Sequence, residues 1–203
     1  ALGLAETCVS IDPAASAGVC VAELEAVTNR GSAPLPPGWE AGPGFTQCRK
    51  PHSLYDIRMT WMEMRGQEYD TACAIIKTTH DGPVMLLAEA QFVGVNPSST
   101  ARIVTSRARW CMAFEIACEE AGRSLTVHHI PPSTWQCEYL GLAANAGSVA
   151  MKMASALSAQ HVLLRMTGEP SNIEGDAADA LCINMWALEH FLAGLPRKFR
   201  RPK

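Results

Sequence analysis

No stretch of this chain stays apolar for the roughly 18 to 20 residues that a helix needs to cross a bilayer, so no membrane partner is expected. Cysteine is present but not arranged. Residues 8, 20, 48, 73, 111, 118, 137 and 182 contain no C-x-x-C pair, and no Cys/His cluster stands at zinc-ligand spacing. Most of them lie in apolar stretches such as Thr7-Cys8-Val9 and Leu181-Cys182-Ile183, where a thiol acts as a small buried hydrophobe. That usage points to a reducing intracellular home and does not separate cytoplasm or nucleoid from chloroplast or mitochondrion. Also missing are the Gly-rich phosphate and adenosine segments that an ATP-dependent kinase or chaperone-type domain requires.

With 203 residues, 48% of them hydrophobic and 18% charged, the chain suits one globular domain with a sizeable core. Its charge is unevenly placed. Residues 197–203 carry five positive charges, including Arg197, Lys198, Arg200 and Arg201, and no negative ones. Setting those five aside takes the formal net charge from -3 to -8 for the rest. A basic tail on an acidic body suits a polyanion gripped by one part and metal ions held by the other, or a frayed, solubilising end.

The coarse order is strand, strand, irregular insertion, helix, strand, helix, strand, helix, helix, a mixed α/β sheet covered by helices. Thr7–Ala22 reads as two apolar strands around a turn at Pro13 and Gly18. Pro34, Pro36, Pro37 and Pro43 alternate with Gly31, Gly38, Gly42 and Gly44, which makes residues 28–53 a surface insertion in a single domain spanning residues 1–196. Leu54–Met64 fits strand or helix, Gln67–Thr79 fits a helix, and Val84–Glu89 fits a strand buried on both faces. A helix from Ser98 or Ser99 to about Ala121 is expected to bury Ala101, Val104, Ala108, Cys111 and Cys118, with Glu115 oddly on that face. Leu125–Ile130 is a strand ended by Pro131-Pro132-Ser133-Thr134-Trp135, and Gly147–Ala159 is a helix.

Four carboxylates stand out from this frame. Asp12 closes the first strand inside apolar sequence, where an unpaired charge is costly, so a metal ion or a turn amide is needed beside it. Glu89 ends a buried strand, the place where open α/β sheets build their sites. Asp176 and Asp179 sit three residues apart on one helix face, while Ala178, Leu181, Met185, Leu188 and Leu192 form an apolar stripe on another. The helix dipole favours acids at this end, so the pair also reads as a helix-start signal.

Taken together, Ile11-Asp12-Pro13, Glu89-Ala90-Gln91-Phe92-Val93-Gly94-Val95-Asn96, Ile130-Pro131-Pro132-Ser133-Thr134-Trp135 and Asp176-Ala177-Ala178-Asp179-Ala180-Leu181 resemble, in order and spacing, the RuvC family of Holliday-junction resolvases. The resemblance covers most of residues 7–193. It implies a ribonuclease-H-like α/β fold with a mixed five-stranded sheet flanked by helices, a homodimer, and magnesium-dependent symmetric nicking of four-way DNA junctions. By position it makes Asp12, Glu89, Asp176 and Asp179 the catalytic metal ligands. Two Mg²⁺ ions about 4 Å apart, or Mn²⁺ in their place, are the expected cofactors, since hard ions take oxygen ligands. Phe92 would match an aromatic that the family sets against junction bases, or it is core. Arg102, Arg107 and Lys152 are candidate phosphate contacts, as is the basic tail, and each also reads as a solvated residue. Two departures stand out: Ala14 where many relatives have Gly, and Gln136 where a lysine is common. A junction binder that no longer cuts, and a nuclease of this fold with another DNA or RNA substrate, are the alternatives.

Overall fold

The computed structural model describes residues 7–14, 16–26, 46–51, 55–64, 66–90, 97–143 and 146–189. Six strands form one sheet: β1 (Thr7–Asp12), β2 (Ala17–Ala26), β3 (Thr46–Pro51), β4 (Tyr55–Met64), β5 (Val84–Glu89) and β6 (Leu125–Ile130), in the spatial order β3-β4-β2-β1-β5-β6. The first pairings are antiparallel (β1 with β2, β2 with β4, β3 with β4), whereas β1–β5 and β5–β6 are parallel. The expected mixed five-stranded sheet is thus β4-β2-β1-β5-β6. A sixth strand, β3, extends it at the β4 edge.

That sixth strand corrects the reading of residues 28–53 as wholly irregular. Thr46–Lys50 contains no breaker, and Pro51 ends the strand beside β4 alone, at an edge where a missing donor costs little. The Pro/Gly-dense residues 28–45 lie outside the described residues. The ambiguous Leu54–Met64 is strand β4 from Tyr55.

Period-2 alternation divides the strands between two helical layers. Val9 and Ile11 of β1, Val19 and Val21 of β2, and Val84 and Leu86 of β5 pack with α1 (Glu68–Thr78) and α2 (Pro97–Glu120). Cys8, Cys20, Ala22, Met85 and Leu87 face the other way, onto α3 (Pro132–Glu138), α4 (Ser148–Thr167) and α5 (Gly175–Ala187). Helix α2 buries Trp110, Ala113, Phe114, Ala117 and Cys118, so the predicted face is corrected by part of a turn: Ala101, Val104 and Ala108 are exposed. The two largest apolar side chains set the face, and Glu115 then falls in solvent and is no oddity. Trp135 begins no loop. It is buried in α3, a helix opened by Pro132 at a position where a missing N–H is harmless. Helix α4 runs on to Thr167, stopped by Gly168 at φ 78°.

Arg123, after α2, is buried and ties the far end of the sheet together. It donates to the carbonyls of Gly82 and Ile76 and to the hydroxyls of Thr79 and Thr7. None of the seven cysteines with described side chains forms a disulfide with another described residue, and among the described residues no helix is long and apolar enough to cross a membrane.

Candidate active site

Because β1 and β5 are parallel neighbours, their last residues leave the sheet at the same edge: Ile11 pairs with Ala88, and Asp12 and Glu89 follow. Both share the sheet face of Cys8, Ser10, Met85 and Leu87, the face that α5 crosses. Helix α5 comes unusually near. Its start buries the small residues Ala177, Ala178 and Ala180, and Gly18 lies opposite Asp12 in the β1–β2 ladder. A Cβ on Gly18 would fall 1.9 Å from the Asp176 carbonyl oxygen, so only glycine admits the helix there. Two polar contacts fix its position along the strands. Ser10 Oγ donates to the Ala180 carbonyl at 2.6 Å, and Asn184 Nδ2 donates to the carbonyls of Cys8 and Cys20, both at 3.1 Å.

The result is a tight acidic cluster. One carboxylate oxygen each from Asp12, Asp176 and Asp179 lie within 4.8 Å of one another. Lys152 reaches in from α4, its Nζ 2.7 Å from Asp176 Oδ1, 2.5 Å from Asp179 Oδ2 and 3.9 Å from Asp12 Oδ2. Glu89 is buried and oriented by Trp135, whose Nε1–H donates to Glu89 Oε1 at 2.9 Å. Burial pushes the Asp12 carboxyl well above the usual carboxylate range, and the charges of Glu89, Asp179 and Asp176 push the same way against Lys152. Glu89 is also raised, chiefly by burial, although bonds from Trp135 and Asp12 oppose the shift. Burial by itself lowers the Lys152 ammonium, but the Asp179 charge and the bonds to Asp176 and Asp179 outweigh it and raise the group overall. A carboxylate cluster in which Asp12 and Glu89 resist ionisation is an all-oxygen donor set that a hard divalent cation relieves, so these residues fit an ion such as Mg²⁺ or Mn²⁺.

The fold matches known structures where the sequence does not. No protein-family model and no curated protein matches the chain. A Thermus thermophilus RuvC structure superposes with a TM-score of 0.51 at 14% identity, covering 89% of this chain and 92% of that one. The chain has a RuvC-like fold. A second T. thermophilus RuvC structure, in complex with a Holliday junction substrate, gives a TM-score of 0.46 at 13% identity over the same shares.

Within this RuvC-like fold, the structure gathers Asp12, Asp176, Asp179 and Lys152, and sets Glu89 next to Asp12. Arg102 and Arg107 ride on α2, which packs on the opposite sheet face from α4 and α5; Arg102 is exposed and Arg107 half-buried. The N-terminal half of α2 does approach the site edge, where Ser106 Oγ donates to the Ala14 carbonyl at 3.4 Å. Phe92 and the tail residues Arg197, Lys198, Arg200 and Arg201 lie outside the described residues, as does Leu192. Trp135, Ser10, Gly18 and Asn184 escaped assignment from sequence. Two left a signal there: Gly18, as a glycine leading an apolar strand, which can mark close backbone approach, and Trp135, as the end of the Ile130-to-Trp135 motif.

Proposed function

We propose that this protein is a divalent-metal-dependent endonuclease that resolves four-way DNA junctions by paired, symmetric nicking. The observation carrying the reading is the convergence of Asp12, Asp176 and Asp179 within 4.8 Å, with Glu89 alongside, at the edge of a RuvC-like sheet. Asp12, Glu89, Asp176 and Asp179 would hold Mg²⁺ or Mn²⁺, and such ions supply an activated water and charge stabilisation for in-line displacement at phosphorus. Trp135 holds the Glu89 carboxylate in one orientation, and the close seat of α5 on Gly18 presents Asp176 and Asp179 to Asp12. Lys152 brings a positive charge to the cluster edge, where it draws in the scissile phosphate that bare carboxylates repel.

A junction has two-fold symmetry, so two copies of the site are needed, and a homodimer supplies them. Val104, Met112 and Ile116 form an exposed apolar band on α2, the face we assign to the second copy. Met112→Glu with Ile116→Glu should yield monomers by sedimentation that nick one strand at a time; an unchanged sedimentation profile would move the interface elsewhere.

The deciding experiment gives the protein a labelled four-way junction, a matched duplex and a single strand in Mg²⁺. Paired nicks on the junction alone are expected, and Asp12→Asn, Glu89→Gln or Asp179→Asn should each reduce cutting by more than about 100-fold while junction binding persists. A second reading, a junction binder without cutting, has one observation behind it: Lys152 already neutralises part of the cluster. Tight junction binding with no nick in Mg²⁺ or Mn²⁺ would establish that reading instead.

A further inference from the structure

The Lys152 side chain is held at its tip and loose along its stem. Two hydrogen bonds and a longer ion pair hold the ammonium, 2.7 Å from Asp176 Oδ1, 2.5 Å from Asp179 Oδ2 and 3.9 Å from Asp12 Oδ2. Yet 49% of the side chain is exposed. Its methylenes line a groove of about 610 Å³ together with Val149, Met153 and Ala156, which leaves the stem room to swing. Helix α4 offers the lysine no acid of its own, since residues 148–167 contain neither Asp nor Glu. The ammonium therefore holds one oxygen each of Asp176 and Asp179, two of the three residues whose carboxylate oxygens come within 4.8 Å of one another. Any ion bonded to Asp179 Oδ2 at the roughly 2.1 Å of a Mg²⁺–oxygen bond would lie within about 4.6 Å of that ammonium. Two cations so close repel each other strongly at a partly buried site, and they divide the same carboxylate lone pairs.

We infer that the Lys152 ammonium and a divalent ion compete for Asp176 and Asp179, and that a nucleic-acid phosphate settles the competition by drawing the lysine away from the carboxylates. The inference rests on the junction-nuclease reading of this site and gives it a control. In the DNA-free protein, Lys152 offsets the mutual repulsion of Asp176 and Asp179 and lowers their affinity for the ion. Once a phosphate takes the ammonium, both carboxylates turn to the ion. Lysine suits such an exchange better than arginine, because its charge is a point on a flexible four-carbon stem and is not tied to one planar geometry. The lysine stays protonated throughout and only changes partners, from carboxylate to phosphate. The coupling is reciprocal: whatever factor DNA adds to the affinity for the ion, the ion adds to the affinity for DNA. Metal loading is thereby favoured where the phosphate to be cut already lies.

The first test watches the lysine itself. In DNA-free protein labelled with ¹⁵N-lysine, the Lys152 ammonium should give a proton–nitrogen signal in EDTA, because its carboxylate partners slow exchange with water, and Lys152→Met assigns that signal by losing it. Saturating Mg²⁺ should abolish it. A signal that Mg²⁺ leaves unchanged, or no signal in EDTA, would overturn the inference. Calorimetry then measures the competition: DNA-free Lys152→Met should bind Mn²⁺ about tenfold more tightly than wild type. By fluorescence anisotropy, Ca²⁺ should tighten binding of a four-way junction about tenfold in wild type and severalfold less in Lys152→Met, whose carboxylates have no lysine to release. Equal gains in the two proteins would also overturn it. Lysine–metal exchange in a wild type that nicks no junction would keep the competition and remove the nuclease reading. Nicking by a wild type whose Mn²⁺ affinity equals that of Lys152→Met would do the reverse.

Discussion

The two faces of the sheet are built on opposite principles. Against α1 and α2 the strands present Val9, Ile11, Val19, Val21 and Leu86 to Trp110 and Phe114, an apolar filling held by bulk. Against α5 they present Cys8, Ser10, Gly18, Met85 and Leu87 to a helix that buries Ala177, Ala178 and Ala180 at its start and Leu181 and Ile183 beyond, with hydrogen bonds from Ser10 and Asn184. At the start of α5, alanine on glycine gives contact with little interlocking, so packing there leaves that end of the helix room to slide along the sheet. Directional bonds stop that slide. The comparison teaches that one face provides stability and the other accuracy, and that the acidic cluster stands on the accurate one.

Substitutions on the two faces should therefore separate stability from metal binding. Phe114→Ala, in the bulky layer, should cost about 3–5 kcal/mol in denaturant unfolding, while the protein that remains folded binds Mn²⁺ as before by calorimetry. Gly18→Ala should cost less, about 1–3 kcal/mol, yet abolish measurable Mn²⁺ binding, because α5 must retreat and take Asp176 and Asp179 with it. If both variants lose stability and metal affinity in the same proportion, the division between the faces is wrong. Asn184→Leu sharpens the contrast further. It removes both bonds to the strand carbonyls, but also a buried Oδ1 that has no hydrogen-bond partner among the described residues, so stability should fall by only about 1 kcal/mol while Mn²⁺ affinity drops roughly tenfold.

The sequence showed the bulky face less well than the acidic one. Strands β1, β5 and β6 were legible because their apolar runs are short and bounded by Pro13, Pro83 and Pro131, and the carboxylates because each interrupts buried sequence. The buried face of α2 was not, since Ala101, Val104 and Ala108 carry the same helical period as Trp110, Phe114 and Ala117, and period alone does not fix phase. Strand β3 was hidden behind the Pro/Gly run that precedes it. The supports of the site were hidden for another reason: Ser10, Asn184 and Trp135 act on groups 170, 176 and 46 residues away in sequence, and no local pattern records such a pairing.

The last effect expected is a pH dependence belonging to one face only. The Asp12 and Glu89 carboxyls are raised above their ordinary values, chiefly by burial, so the folded protein binds protons there that the unfolded chain has already released. Stability must then fall as pH rises from the ordinary carboxylate range through the raised values, by at most about 1.4 kcal/mol per pH unit for each proton taken up on folding. Thermal unfolding in EDTA between pH 5 and 8 should show that decline, and excess Mg²⁺ at pH 8 should reverse it by compensating the charge that proton loss exposes. Asp12→Asn should flatten the curve, whereas Phe114→Ala should lower it throughout without changing its slope. Stability that rises with pH in EDTA would mean that Lys152 alone satisfies the cluster, and the carboxylates would then have no need of an ion.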